Sequence, residues 1–131
     1  CIKRILNGEK IYIHSYPDKK KSGTRFYIHT RNIASAVLFL IKNGKIGEKY
    51  NISGEKEVSN LEMAQFISQV MGKPLNYEMV DFHSLRPGHD LRYGLDGTKL
   101  FNMGWKIPFS FEKSLRKTIL WTLENRKWLE K

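Results

Sequence analysis

The sequence predicts one mixed α/β domain, and three observations predict it. Short strand-like runs alternate with stretches of helical periodicity along the whole chain and do not separate into blocks. The 131 residues, 40% hydrophobic and 27% charged, suffice for one core and leave little room for a second. No internal repeat, low-complexity segment or linker interrupts that order.

Taken in order, CIKRILN (1 to 7) reads as the tail of a helix ended by Gly8, and IYIH (11 to 14) as a short strand. HSYPDKKKSGTR (14 to 25) is a solvated loop: three consecutive lysines with Pro17, Asp18 and Gly23 carry turn chemistry and no periodicity. RFYIH (25 to 29) is strand-like. Thr30 then caps a helix running through Ile33, Val37, Leu40 and Ile41 to Gly44. Its apolar residues spread over more than one face, which predicts heavy burial.

KYNIS (49 to 53) reads as a short buried strand. SNLE (59 to 62) is a capping box whose flanking Val58 and Met63 suit a hydrophobic staple, and Gly72 followed by Pro74 stops the helix it opens. PLNYEMV (74 to 80) alternates Leu75, Tyr77 and Met79 against Asn76 and Glu78, the pattern of a half-buried strand. A short helix starts at Asp96 and stops at Gly104, with Trp105 placed for the hydrophobic contact of a Schellman end. Ser110 caps a last helix that carries Phe111, Leu115, Ile119 and Leu123 inward.

Charge narrows the partners. Lys and Arg number 23 against 13 Asp and Glu, a net charge of +10, which favours phosphorylated ligands or nucleic acid, or simply makes a solvated basic surface. Composition does not choose among these. No apolar run approaches the ~18 residues of a membrane span, and the N-terminus lacks a signal-peptide pattern, so no membrane partner is expected. A single cysteine, Cys1, permits no internal disulfide and makes a reducing cytoplasm the default location. Beginning at Cys and not Met suggests a processed protein or a fragment.

The stretch RPGHDLRY (86 to 93) gathers two arginines, a histidine and an aspartate around a Pro-Gly pair. Pro87 and Gly88 suit the second and third positions of a type II turn, which brings Arg86 and His89 together. A guanidinium fits a phosphate bidentately and His89 adds a further donor. The same spacing also suits a surface turn whose Arg86, Asp90 and Arg92 form ion pairs of little energetic weight. No catalytic machinery is legible elsewhere: His14, His29, His83 and His89 lack partners at metal spacing, and neither G-x-S-x-G nor a glycine-rich loop opening a βα unit occurs. No metal and no self-contained dinucleotide site is expected.

Four pieces, NGEKIYIH, GTRFYIHTRNIASAV, GEKYNISG and RPGHDLRYGLDGTKLFNMGWKIPFSFEKSLRKTILW, together resemble one family. They are similar to the C-terminal half of nucleotide-sugar 4,6-dehydratases of the dTDP-glucose and UDP-glucose type, in the extended short-chain dehydrogenase/reductase superfamily. R-P-G-H-D-x-R-Y followed by D-x-x-K and G-W carries most of the specificity; R-x-Y-I-H and Y-N-I-x-G are shared with epimerases and decarboxylases, which form the alternative reading within the enzymes. A basic nucleic-acid-binding module is the rival from another class.

The resemblance implies the following. The chain is a single substrate-binding domain over residues 1 to 131, the C-terminal part of an extended short-chain dehydrogenase/reductase whose N-terminal Rossmann domain is largely missing from it. That missing part would bind NAD and carry the catalytic residues, so this chain alone is expected to bind no cofactor and to be inactive. The family reaction oxidises the sugar at C4 with NAD, removes water across C5 and C6 and returns the hydride to C6. Arg25 matches the arginine on the substrate diphosphate, Asn51 the asparagine of Y-N, and Arg86, Pro87, Gly88 and His89 the ligand-binding turn. Ile11, Tyr12 and Ile13 fall on the strand beside the nucleobase. Partners are then a nucleotide-diphosphate sugar, the Rossmann domain and, for the isolated chain, another copy of itself. Three departures bear on which base and sugar are bound: Phe26 follows Arg25 where the family commonly has Asp, Leu85 precedes the turn where Asp is common, and the 14 to 25 loop is longer than usual.

Overall fold

A computed structural model describes residues 1 to 85, 87, 88 and 90 to 130. Helix α1 (Ile2–Leu6) ends at Asn7, and Gly8 at φ +71° turns the chain in the left-handed region where a Cβ is strained. Strand β1 (Ile11–Ser15) follows, burying Ile11, Ile13 and Ser15 while Tyr12 faces out, as the two-residue period of a strand requires. The lysine-rich segment is an ordered return: Tyr16 N–H donates to Lys21 O at 3.0 Å and Gly23 N–H to His14 O at 3.1 Å. It delivers strand β2 (Thr24–Arg25) and then helix α2 (Thr30–Asn43).

Strand β3 (Val58–Ser59) runs directly into helix α3 (Asn60–Met71). Here the capping box is complete. Ser59 Oγ accepts from Glu62 N–H at 3.1 Å and the Glu62 carboxylate accepts from Ser59 N–H at 2.8 Å. Gly72 ends the helix at φ +61°. Strand β4 (Tyr77–Asp81), helix α4 (Phe82–Leu85), strand β5 (Arg92–Tyr93), helix α5 (Thr98–Asn102) and helix α6 (Phe111–Glu124) complete the order, with a 3₁₀ turn over Arg126–Trp128.

The strands form two small sheets. β1 pairs with β4 in parallel, from Ile11 opposite Tyr77 to Ser15 opposite Asp81, and the crossover that a parallel pair requires is filled by α2 and α3. β2 is central in the second sheet, antiparallel to β3 and parallel to β5. Two cores hold these layers. Ile5, Ile11, Ile13, Ala64, Ile67 and Ile119 pack α1, β1, α3 and α6 together, and Ala36, Leu100 and Trp105 pack α2 against α5. Asn32, buried on α2, is satisfied both ways by one residue: its Nδ2 donates to Phe109 O at 2.8 Å and its Oδ1 accepts from Phe109 N–H at 3.2 Å. That pair ties α2 to the segment that enters α6.

Several expectations need correction. KYNIS forms no strand; Ile52 packs on the second core from irregular backbone. Only Thr24 and Arg25 of the region up to His29 join a ladder. Thr30 is the first helical residue of α2 and not its cap, because His29 Nδ1 accepts from Arg31 N–H at 3.1 Å. Gly97 stands at the cap of α5, although the Asp96 carboxylate still accepts from Thr98 N–H at 2.9 Å. Heavy burial of α2 does not occur within the chain. Leu40 packs on the second core, while Ile33, Val37, Leu38 and Ile41 are 37%, 44%, 62% and 74% exposed.

Candidate functional site

Arg25 is the sequence-predicted residue whose setting says most. The Thr24 to Arg25 strand is held between β3 and β5, with Arg25 opposite Tyr93 in the parallel register. Its Nη1 donates to Thr24 O and to Leu91 O, both at 2.7 Å, and its guanidinium carbon lies 4.1 Å from the centre of the Tyr93 ring. Two carbonyls and an aromatic face therefore fix the orientation of a half-buried cation. Among the described residues no carboxylate pairs with it. A guanidinium has five N–H donors, so the edge formed by Nε and Nη2 is the one able to meet an anion.

The chain from Asp90 to Asp96 links Arg25 to the other candidates. Arg86 and His89 lie outside the described residues. Pro87 and Gly88 are exposed in a turn, and Gly88 has φ +79°, the value that the third position of a type II turn demands. Three residues beyond Gly88 comes Leu91, whose carbonyl Arg25 holds. Asn51 Nδ2 donates to Asp96 O at 3.0 Å, so Asn51 anchors the same segment farther along. Between these anchors a cavity of about 430 Å³ opens, lined by Phe26, Ser53, Arg92, Gly94 and Asp96 among others.

Ile11, Tyr12 and Ile13 do not act as a unit. Ile11 and Ile13 are core residues of the first cluster, leaving Tyr12, 55% exposed, as the side chain of the three that faces outward. β1 nevertheless reaches the candidate site through its end, where the His14 carbonyl holds Gly23 next to Thr24.

Sequence reasoning missed Glu57 and Thr24. Arg92 pairs with Glu57 and not with a neighbour in the turn: Nε to Oε1 is 2.7 Å and Nη2 to Oε2 is 2.9 Å. Thr24 Oγ1 donates to the same Oε1 at 2.5 Å. The hydrogen bonds from Arg92 first, and from Thr24 second, hold the Glu57 carboxyl below its ordinary range. With Arg92 and Glu57 35 positions apart, no local pattern signals the pair. Among the described residues no cluster of three His, Cys, Asp or Glu side chains could hold a metal ion, and no helix is long and apolar enough to cross a membrane.

No family model matches the chain. It is similar to dTDP-glucose 4,6-dehydratase 1 of Escherichia coli (strain K12), at 32% identity over 135 residues that take in 98% of this chain and 36% of that protein. Among solved structures it is similar to the dTDP-glucose 4,6-dehydratase of Bacillus anthracis in complex with NAD, with a TM-score of 0.80, 29% identity, and coverage of 97% of this chain and 39% of that one. The dTDP-glucose 4,6-dehydratase of Streptomyces venezuelae with NAD and TYD bound gives a TM-score of 0.80 at 29% identity, covering 97% and 38% of the two chains. This chain thus spans a little over a third of the length of these relatives.

Proposed function

Because the chain belongs with the dTDP-glucose 4,6-dehydratases, as the counterpart of the C-terminal part of an extended short-chain dehydrogenase/reductase, we propose that it holds the diphosphate of a nucleotide-sugar substrate in a longer, NAD-dependent lyase. The observation that carries this reading is Arg25: a half-buried guanidinium, oriented by Thr24 O, Leu91 O and the Tyr93 ring, with no carboxylate partner among the described residues. Desolvating a cation without a counter-ion is unfavourable, and a diphosphate supplies one. Charge-assisted bonds from donors already in place hold such a group against water.

The described residues do not fit NAD. No glycine-rich turn leads from a strand into a helix; α2 is entered through Tyr27, Ile28 and His29, without the glycines that let a pyrophosphate approach a helix N-terminus closely. The cofactor therefore belongs to the proposed N-terminal domain, and no chemical step is assigned to this chain. Its part is to bind and orient: Arg25 and the turn at 86 to 89 grip the diphosphate, while Asn51 and Asp96 set the course of the segment between them.

The experiment is a pair of measurements on purified residues 1 to 131. Calorimetric titration with dTDP and UDP should detect binding that Arg25→Ala weakens, and incubation with dTDP-glucose or UDP-glucose plus NAD should yield no 4-keto sugar. Turnover by this chain alone would contradict the division of labour, and binding indifferent to Arg25 would contradict the site.

A further inference from the structure

Resting on that reading of Arg25, we propose that Glu57 is a positioning residue for the diphosphate site: its carboxylate clamps β5 against β2 and so fixes where Arg25 stands. The need for a clamp comes from the size of the elements. β2, β3 and β5 have two residues each, so each pairing supplies a very short ladder. Yet both groups that orient Arg25 across the sheet, Leu91 O and the Tyr93 ring, sit on or beside β5. A small slide of β5 along β2 displaces both together.

Glu57 stands one residue before β3 and reaches both other strands at once. Oε1 accepts from Thr24 Oγ1 on β2 and from Arg92 Nε on β5, and Oε2 accepts from Arg92 Nη2. Thr24 adjoins Arg25, and Arg92 lies between Leu91 and Tyr93, so the clamp closes on the neighbours of every group that orients the guanidinium. Paired N–H to carboxylate bonds fix geometry as well as distance, which a single-point contact does not. Gly94 leaves room for this arrangement: a Cβ there would stand 2.9 Å from the Arg92 Cζ.

The side chains of Glu57 and Arg92 are 30% and 57% exposed, so the pair adds little to global stability. Its contribution is to register. This separates the clamp from a plain charge effect, because the two predict opposite signs. Removing the carboxylate frees the Arg92 cation, which on charge alone attracts a diphosphate more strongly; if position governs, binding weakens.

The test is calorimetric titration of the full-length protein proposed above with dTDP and with dTMP, for the parent, Glu57→Gln, Gly94→Ala, the exchanged pair Glu57→Arg with Arg92→Glu, and Arg25→Ala. Glu57→Gln and Gly94→Ala are expected to weaken dTDP binding about tenfold, the scale of one charge-assisted hydrogen bond, to lower the dTDP to dTMP affinity ratio, and to leave Tm near the parent's. The exchanged pair restores part of the loss. Binding of dTDP by Glu57→Gln as tight as the parent's or tighter, or equal losses for dTDP and dTMP, overturns the clamp while an Arg25→Ala defect keeps the site. Parent-like binding by Arg25→Ala instead removes the diphosphate reading on which the clamp depends.

Discussion

Arg25 shows how one side chain is readied for an anion before the anion arrives. Its two Nη1 bonds go to carbonyls, so their cost in side-chain freedom is met by the fold and not by the ligand. Arg25→Ala should therefore weaken nucleotide-diphosphate binding by about 1.5–3 kcal/mol, the size of a hydrogen bond to a charged group. Arg25→Lys should recover only part, since an ammonium cannot hold two carbonyls on one side and an anion on the other in a single plane. Isothermal titration with dTDP and UDP checks both, and an alanine variant indistinguishable from the parent rules out the assignment. Arg25 was singled out from the sequence through the motif around it. Glu57 was not, because its partners Thr24 and Arg92 are 33 and 35 residues away and only folding brings them together. The side chains of Ile11 and Ile13 were misplaced for a related reason: a strand named for its backbone position says nothing of which side chains the core takes.

Elements whose signals are local were read well, and α3 is the clearest. Ser59, Glu62, Gly72 and Pro74 each act within a few residues, so the helix is delimited by chemistry the sequence displays. β2, β3 and β5 were not separable as a sheet, since strands of two residues carry no period and exist only by pairing. The cap of α2 was missed by one residue because a histidine nitrogen took the role commonly given to hydroxyls and carboxylates. For α3, Ser59→Ala should cost about 1 kcal/mol of stability, measured by chemical denaturation. The pH dependence has a defined sign. Ser59 N–H, the largest influence, and the Ser59 hydroxyl hold the Glu62 carboxyl below its ordinary range. A depressed carboxylate contributes stability that is present above the unfolded pKa and is lost as pH falls through the lower folded value. The stability gap between the parent and Glu62→Gln should therefore close on acidification below about pH 4; a gap that stays constant there contradicts the role of the charged form.

At the scale of the whole molecule, α2 is the feature that this chain does not complete. Asn32, Ala36 and Leu40 face inward, and Ile33, Val37, Leu38 and Ile41 line the opposite side, where their spacing of three and four residues makes one continuous apolar stripe. Full burial of such a side chain contributes about 1.5–3 kcal/mol, so the part of these four that stays in water, largest at Leu38 and Ile41, forgoes stability that a small domain can use. Apolar patches of this kind mark interfaces. For the enzyme proposed above the proposed occupant is the N-terminal Rossmann domain, this chain spanning little more than a third of the length of its relatives. Alone, the chain has only other copies of itself with which to cover the stripe. It should then self-associate with rising concentration, and Val37→Glu, which places a charge in the middle of the stripe and touches neither core, should shift the equilibrium toward monomer without lowering helix content. Light scattering across a dilution series, paired with circular dichroism, reads both quantities. A parent chain that stays monomeric at every concentration with α2 intact would show that these side chains tolerate water, and the Rossmann-facing role of the stripe would have to be abandoned.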